Sequence, residues 1–315
     1  MFDELEQCAE SESRLEAVRP APPSRVYVDG AFDLVHCGHF NAIRQAKLLS
    51  DKLIVGVCSE AGIASAKGKP VLTSEERFKV IESCRFVNEC YPDQEYNVNE
   101  KTLDKFDCRY YAHGDDPCYG DDGVEMCGYL ASLGRFKQFK RTTGVSTTNI
   151  TGRLLRLVDP TALPETVKEP PKQQFLQLAS RIRNFSTKKE PKPSEKIVYY
   201  QASFDLFHAG VLERIKKAKE QGDYLYVGIW SDEMVRYYRG ENYPLLTMQE
   251  RLLMALACKY VDDVVIEAPY VITEDLVKSL NIHTVVDVQT EEDKPLPQHA
   301  GVDQFSEAKR LGIHH

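Results

Sequence analysis

Two histidines, His36 and His39, stand where an apolar segment gives way to a helical pattern. Residues 26–28 are strong strand formers, and Gly30 begins the turn after them. Backbone N–H groups and the helix dipole favour anions at a helix N-terminus, so imidazole donors placed there add to a phosphate site. Gly38, between the histidines, lets a ligand approach the backbone closely. The pattern predicts phosphate binding, whereas a zinc site would need a third ligand at a familiar spacing, which is absent.

Two cationic side chains could complete that site. Lys67 precedes Gly68 in a segment, 61–71, that we expect to be a loop, and it could close over a triphosphate; Lys69 is the alternative. Arg141 follows a predicted strand and precedes hydroxyl-rich residues at a helix start, which is a second phosphate clamp. The further members of this clamp are Thr142, Gly144, Val145, Ser146 and Thr147.

Three aspartates near predicted strand ends each have more than one interpretation. Asp33 is either a turn former, a magnesium neighbour or a residue that orients a histidine. Asp115 and Asp116 follow His113 at a strand end, and they are either turn residues or the counter-charge for a cationic substrate group.

Composition limits the class of protein. A chain of 315 residues has room for two domains, and its 42% hydrophobic and 28% charged residues are typical of a globular protein. No apolar run approaches the roughly 18 residues that a membrane helix needs, and the polar first residues do not resemble a signal peptide. Nine scattered cysteines without a Cys-x-x-Cys pair predict a reducing compartment, with the cytoplasm as the default. The net charge of −8 argues against nucleic acid as a partner.

Short strands alternate with helices in the first half. We expect a third strand from Phe86, a fourth over 109–112 and a fifth over 136–140, with Thr73 and Glu76 forming a capping box between the second and third. This alternation predicts a parallel sheet with helices on both faces, whose ligands bind at the carboxyl ends of the strands.

The chain then repeats itself. Residues 198–211 match 26–39 position by position, and Asp33 and Asp205 lie 172 positions apart. The copy replaces three of the residues assigned to the phosphate site, and the chain ends before a second copy of 141–148. The replacements are Ala202 for Gly30, Val211 for His39 and Arg239 for Lys67. The predicted organisation is a tail over 1–24, a catalytic domain over 25–157, a linker over 158–196 and a degenerate domain over 197–315.

The motif Gly-x-Phe-Asp-x-x-His-x-Gly-His over 30–39, together with 141–148, resembles the cytidylyltransferase family of the HxGH nucleotidyltransferase superfamily. The resemblance implies two tandem Rossmann-like domains and transfer of CMP from CTP, with Mg²⁺, to a phosphorylated alcohol. Two copies without an amphipathic membrane helix after the first favour phosphoethanolamine, giving CDP-ethanolamine and pyrophosphate. Phosphocholine or glycerol 3-phosphate as acceptor, and a non-catalytic nucleotide-binding regulator, are the alternatives.

The resemblance also implies roles for the residues. His36, His39, Lys67 and Arg141 would be catalytic, with His39 nearest the reacting phosphoryl group. The CTP-binding set would be Gly30, Ala31, Phe32, Asp33, Gly38, His39, Arg77, His113, Thr142, Gly144, Val145, Ser146 and Thr147. The phosphoethanolamine set would be Lys67, Tyr96, Asp115 and Asp116, and Asp33 would neighbour the metal. The second copy would supply a pairing surface, which predicts an intramolecular pseudo-dimer and is compatible with a monomeric chain.

Overall fold

Two parallel sheets organise the protein. The computed structural model describes residues 25–120, 123, 125–158, 175–187, 189–288 and 294–315. The first sheet has the order β3-β2-β1-β4-β5 and the second the order β8-β7-β6-β9, with every strand pair parallel. The strands are β1 (Arg25–Gly30), β2 (Lys52–Cys58), β3 (Glu89–Gln94), β4 (Tyr110–Gly114), β5 (Phe136–Phe139), β6 (Ile197–Ala202), β7 (Tyr224–Ile229), β8 (Asp263–Ile266) and β9 (Thr284–Val285).

Helices connect these strands, as a parallel sheet requires. In the first half they are α1 (Cys37–Leu48), α2 (Glu60–Lys67), α3 (Ser74–Glu82), α4 (Glu100–Lys105), α5 (Met126–Ser132), α6 (Thr147–Val158) and α7 (Phe175–Phe185). In the second half they are α8 (Ala209–Lys219), α9 (Asp232–Arg239), α10 (Met248–Ala257), α11 (Glu274–Ser279) and α12 (Ser306–Arg310), with a 3₁₀ turn at Pro297–His299. The α/β class with two Rossmann-like sheets is confirmed.

Local chemistry explains the boundaries, including two that differ from expectation. The segment 61–71 is not all loop: Ser59 caps α2 by accepting a hydrogen bond from the Gly62 N–H, and the helix runs to Lys67. The third strand begins at Glu89 rather than Phe86, because the chain first turns over 85–86. The capping box of α3 at Thr73 is confirmed.

The register of the sheets repeats the 172-residue offset. Val28 pairs with Val55 in the first sheet, and Tyr200 pairs with Val227 in the second. At the position that β5 occupies beside β4, residues 313–315 run parallel to β9, with the Val285 N–H donating to Ile313 at 2.8 Å. The two units are therefore built on one plan over their first four strands.

The two units share one hydrophobic core and pack through equivalent residues. In its later part the repeat has drifted by two residues to an offset of 174 positions, so Cys84 corresponds to Cys258, and these two residues form an antiparallel bridge between the units. The Arg153 guanidinium meets the Glu250 carboxylate at 2.8 Å, with both side chains only 11% exposed. Phe40 of α1 contacts the edge of Phe207 across the same boundary at 6.0 Å between ring centroids. Apolar packing and a nearly buried ion pair thus join the halves.

The predicted linker is partly structured. Helix α7 extends beyond the short piece expected near 175–182, and buried Phe185 at its end packs edge-on against Phe86 of the first unit. The prolines at 160, 164, 170 and 171, and the tail over 1–24, lie outside the described residues. No helix among the described residues is long and apolar enough to cross a membrane.

Candidate active site

The two histidines lie stacked at the start of α1, with ring centroids 3.8 Å apart. His36 is the N-cap: its Nδ1 accepts from the Gly38 N–H at 3.1 Å. His39 Nδ1 accepts from the His36 N–H at 3.3 Å. Because both Nδ1 atoms act as acceptors, each neutral ring carries its proton on Nε2. The pair therefore offers two N–H donors rather than two bases.

Burial keeps both rings neutral. It lowers the pKa of His39 to about 4, helped by the nearby charges of Arg141 and Lys67. It also lowers the pKa of His36 well below 6.5, with His39, Arg141 and Arg153 contributing. A neutral imidazole at the helix N-terminus is a hydrogen-bond donor to an anion and needs no proton from solvent.

A cavity of about 550 Å³ opens above these rings at the carboxyl ends of β1, β4 and β5. It brings together most of the predicted nucleotide and catalytic residues. They are Gly30, Ala31, Phe32, Asp33, His36, Gly38, His39, Lys67, His113, Arg141, Thr142, Val145, Ser146 and Thr147. Four predicted site residues do not line this cavity, namely Arg77, Tyr96, Asp115 and Gly144.

Arg141 is positioned by the two aspartates that were expected to bind the amine. Asp116 meets the Arg141 guanidinium at 2.7 Å, and the exposed Asp115 accepts from the Arg141 backbone N–H at 2.8 Å. Asp116 thus pairs with the side chain of Arg141 and Asp115 with its backbone, so both hold Arg141 in place, and their assignment as amine ligands stays a prediction. Asp116 still lines the cavity wall.

Asp33 and Arg77, which were predicted to bind the nucleotide, also form hydrogen bonds within the protein. Asp33 accepts from the Val71 and Leu72 N–H groups at 2.8 and 2.9 Å, which holds the segment after Lys67 in place. Arg77 is fully buried, and its guanidinium donates to backbone carbonyls, including that of Ala31 at 2.7 Å. The repeat makes the same bonds: Asp205 accepts from Leu245 and Leu246, and Arg251 donates to Ser203. These bonds hold the loops in the same way in both units; Asp33 also lines the larger cavity, whereas Arg77 does not.

The start of α6 forms the opposite wall. The Ser146 hydroxyl accepts from the Asn149 N–H at 3.1 Å, and Thr147 donates to the Asp33 carbonyl at 3.2 Å. Val145 lies so close to Gly38 that a Cβ there would come within 2.9 Å of it. Gly38 is therefore required for α1 and the α6 loop to approach each other, which places two helix N-termini at one cavity. Gly144, with φ of +85°, makes the turn into this wall instead of touching the cavity.

A second cavity of about 260 Å³ adjoins the first and shares Gly30, Lys67, His113 and Asp116 with it. Its walls include Tyr96, and the Lys67 ammonium lies 5.7 Å from the Tyr96 ring centroid. The ammonium of Lys67 can thus reach both compartments, which fits its predicted bridging role.

Asp29 is a residue that the sequence analysis missed. It lines both cavities, accepts from the Tyr111 hydroxyl at 2.8 Å and is contacted by the Cys58 thiol at 3.6 Å. Burial raises the pKa of its carboxyl from 3.8 to about 6, while the Tyr111 hydrogen bond opposes that rise. The available signal was a carboxylate at the end of an otherwise apolar strand, since the repeat carries neutral Gln201 there.

Comparison with known proteins agrees with this arrangement. The family model described as Cytidylyltransferase-like matches residues 27–153 and again 199–303. The chain belongs to the cytidylyltransferase-like family. Both matches begin within the first strand of a sheet, so this family unit occurs twice.

Individual relatives extend the match along the chain. The ethanolamine-phosphate cytidylyltransferase of Dictyostelium discoideum is 39% identical over 310 residues, which covers 93% of this chain and 86% of the relative. The Arabidopsis thaliana protein of the same name is 38% identical, covering 88% and 75%. Choline-phosphate cytidylyltransferase 2 of Arabidopsis is 40% identical over only 139 residues, covering 42% of this chain and 45% of its own length. The similarity to the ethanolamine-phosphate relatives therefore spans both units of this cytidylyltransferase-like chain.

Proposed function

We propose that the protein transfers CMP from CTP to phosphoethanolamine, giving CDP-ethanolamine and pyrophosphate. The observation that carries the proposal is the pair of joined cavities with Lys67 at their junction. The larger cavity has two helix N-termini and imidazole donors suited to phosphates, and the smaller one has the half-buried carboxylate of Asp29, which lines both cavities and suits an amine. Relatives named for this reaction match both units of the chain.

The larger cavity suits the triphosphate. A phosphomonoester with its second pKa near 6 is mostly a dianion at pH 7, so it can attack the α-phosphorus without a protein base. Neutral His39 would donate from Nε2 to the reacting phosphoryl oxygen. Arg141, held by Asp116, would neutralise the leaving pyrophosphate. Lys67 would draw the two anions together, so that catalysis is mainly alignment and charge stabilisation.

Mg²⁺ is proposed as the partner of CTP. Magnesium prefers oxygen ligands and commonly binds through substrate phosphates with one or two carboxylates. Both carboxylate oxygens of Asp33 accept hydrogen bonds from backbone N–H groups, and Asp116 is paired with Arg141. Because these carboxylates already have partners within the protein, the ion would be held chiefly by the phosphate oxygens. When bound, it would offset the charge of the triphosphate.

Asp29 is the proposed acceptor of the substrate ammonium. A primary ammonium has three N–H donors, which a buried carboxylate can accept, whereas a quaternary amine needs an aromatic cage. At pH 7 the carboxyl of Asp29, with its pKa of about 6, is mostly ionised. An arriving cation would stabilise that charge further. This favours phosphoethanolamine over phosphocholine and over glycerol 3-phosphate, which has no cation.

The second unit is proposed to act as the partner of the first in an intramolecular pseudo-dimer. The bridge between Cys84 and Cys258 supports this, because contacts between equivalent residues characterise two-fold pairing. Such a chain can function as a monomer. All eight described cysteines are free thiols, which supports the proposed cytoplasmic location.

A pyrophosphate-release assay tests the reaction. The purified chain would be given CTP with Mg²⁺ and, in separate reactions, phosphoethanolamine, phosphocholine or glycerol 3-phosphate. We expect the highest kcat/KM with phosphoethanolamine. A higher value with either other acceptor would refute the substrate assignment, and no pyrophosphate with any of the three would favour the non-catalytic regulator.

A further inference from the structure

A cluster of three metal-binding side chains lies beside the smaller cavity. The ligand atoms of His113, Cys118 and Cys127 all fall within 4.8 Å of one another. Both cysteines are buried, with about 8% of each exposed. In a tetrahedral zinc site with bonds of ~2.0 to 2.3 Å, ligand atoms are ~3.5 to 4 Å apart. The three atoms would need to move inward by less than about 1 Å to hold one ion.

The backbone holds the two cysteines side by side. The Met126 N–H donates to the Cys118 carbonyl at 2.9 Å, and Tyr119 and Glu125 form an antiparallel bridge next to them. Cys118 and Cys127 thus meet at the two ends of one closed loop, although nine positions separate them in sequence. A site fixed by its backbone loses little entropy when it binds an ion.

His113 is oriented as metal ligands usually are. Its Nδ1 lies 3.3 Å from the carbonyl oxygen of Gly114, and a carbonyl can only accept, so this contact requires a proton on Nδ1. The lone pair is then on Nε2. A ring whose other nitrogen donates to a backbone carbonyl has the tautomer and orientation found in zinc sites.

We propose that His113, Cys118 and Cys127 form a binding site for a soft divalent cation such as Zn²⁺. Two thiolates and one imidazole suit zinc far better than magnesium or calcium, which prefer oxygen ligands. His113 and Cys118 line the smaller cavity, so the fourth coordination position opens into it. Such a site has three protein ligands and one exchangeable position.

The location gives the site a consequence that rests on the proposed function. Tyr111 lies 3.9 Å from the Cys118 sulfur and donates to Asp29, so the ion would lie close to the carboxylate proposed to bind the ammonium. A bound dication repels the substrate ammonium and weakens the pull of Asp29 on it. Occupancy by Zn²⁺ would therefore inhibit by raising the KM for phosphoethanolamine.

Cobalt binding tests the site without reference to turnover. The full chain would be reduced with a phosphine, freed of metal and titrated with Co²⁺, whose bonds to thiolates give a charge-transfer absorption. We expect about one equivalent to bind with this band, and Zn²⁺ to abolish it. Cys127→Ser should lose the band, whereas Cys90→Ser, the matched control in β3, should keep it. Cys127→Ala, which adds no hydroxyl, replaces the serine variant if that does not fold.

The proposal would be overturned if the wild type showed no thiolate band or if the Cys127 variant kept an unchanged band. It would also be overturned if the reduced protein took up no cobalt while the oxidised protein formed a disulfide between Cys118 and Cys127, since the two cysteines would then pair with each other instead of binding a metal. In a parallel turnover assay, Zn²⁺ should raise the KM for phosphoethanolamine in the wild type and in Cys90→Ser more than in Cys127→Ser. Absence of all turnover would refute the proposed function while the cobalt result stood.

Discussion

The smaller cavity of the first unit is filled in the second. Three residues that line this cavity have bulkier or internally bonded counterparts in the repeat: Trp230 for Cys58, Tyr238 for Ala66 and Gln201 for Asp29. Tyr270, the counterpart of Tyr96, stacks on Tyr238 with ring centroids 3.5 Å apart and lies 5.2 Å from Trp230. Aromatic side chains thus take up the volume where the first unit leaves space for an acceptor.

The polar residue at the end of the first strand also differs between the units, since Asp29 corresponds to Gln201. Gln201 accepts from the Tyr199 hydroxyl at 2.8 Å and donates to the Tyr270 carbonyl at 2.7 Å, so its amide is satisfied within the protein. Asp29 accepts from the Tyr111 hydroxyl, but its half-buried carboxylate also faces a cavity. A buried charge is costly unless something compensates it, and a cationic ligand does so. Equivalent strands thus leave an open cavity in the first unit and a filled one in the second.

The first helices of the two units have the same N-cap but differ at one position in their first turn. His36 and His208 both accept from a glycine N–H at 3.1 Å and cap their helices identically. Three residues on, His39 is replaced by buried Val211. Capping therefore belongs to the fold, and the second donor distinguishes the unit that we expect to react.

The largest predicted effect comes from removing that donor. His39→Ala should lower kcat about 10²-fold or more, since a preorganised hydrogen bond to the transition state is lost. The measurement is steady-state pyrophosphate release with saturating CTP and phosphoethanolamine. The matched control is Val211→Ala, the same position in the second unit, which should keep the wild-type kcat. Equal losses in the two variants would mean that the units do not differ in this way.

The next effect concerns the acceptor. Asp29→Asn should raise the KM for phosphoethanolamine about 10-fold or more, because a charge-assisted hydrogen bond to the ammonium contributes roughly 1.5–3 kcal/mol. Glycerol 3-phosphate is the control substrate, since it has no ammonium to lose. A KM that rises equally for both acceptors would show that Asp29 shapes the cavity without recognising the amine.

The histidine burial predicts a pH dependence of stability without substrate. The pKa of His39 is about 4 in the folded chain and about 6.5 when unfolded, so the unfolded state takes up its proton first as pH falls. The contribution of neutral His39 to the free energy of unfolding is therefore fully present above pH 6.5, and it is lost as the pH falls toward 4.

Replacement of His39 isolates this contribution. In His39→Gln, the loss of unfolding free energy between pH 6.5 and 4.5 should be smaller than in wild type by on the order of 1 kcal/mol. Urea unfolding at each pH measures this free energy. Val211→Gln is unsuitable as a control because that site is buried. Equal slopes in wild type and His39→Gln would contradict neutral burial of His39.

Sequence reasoning predicted what depends on local pattern. The 172-residue offset reappears in the strand register, and the capping box at Thr73 needs only residues three apart. It failed where a side chain's partner is distant: Asp29 is bonded to Tyr111, 82 positions away, and Asp33 holds Val71, 38 positions away. The stretch proposed to bind phosphate could be predicted because its donors are contiguous, whereas the cavity proposed for the acceptor is assembled from separate strands.

The smallest predicted effect is an absence. Val211→His restores the missing imidazole in the second unit, yet it should add no turnover and no second CTP site by calorimetry. A cavity of about 210 Å³ in the second unit is lined by Arg239 and His208, but Trp230 and Tyr270 fill the region that corresponds to the smaller cavity of the first unit. Within the 315 residues there is also no counterpart of the loop that presents Arg141.

To keep the result informative, the variant should be made in the His39→Ala background, where any activity from the second unit would be measured against almost none. Recovery of pyrophosphate release there would mean that one imidazole decides catalysis, and that the filled acceptor cavity is not what silences the second unit.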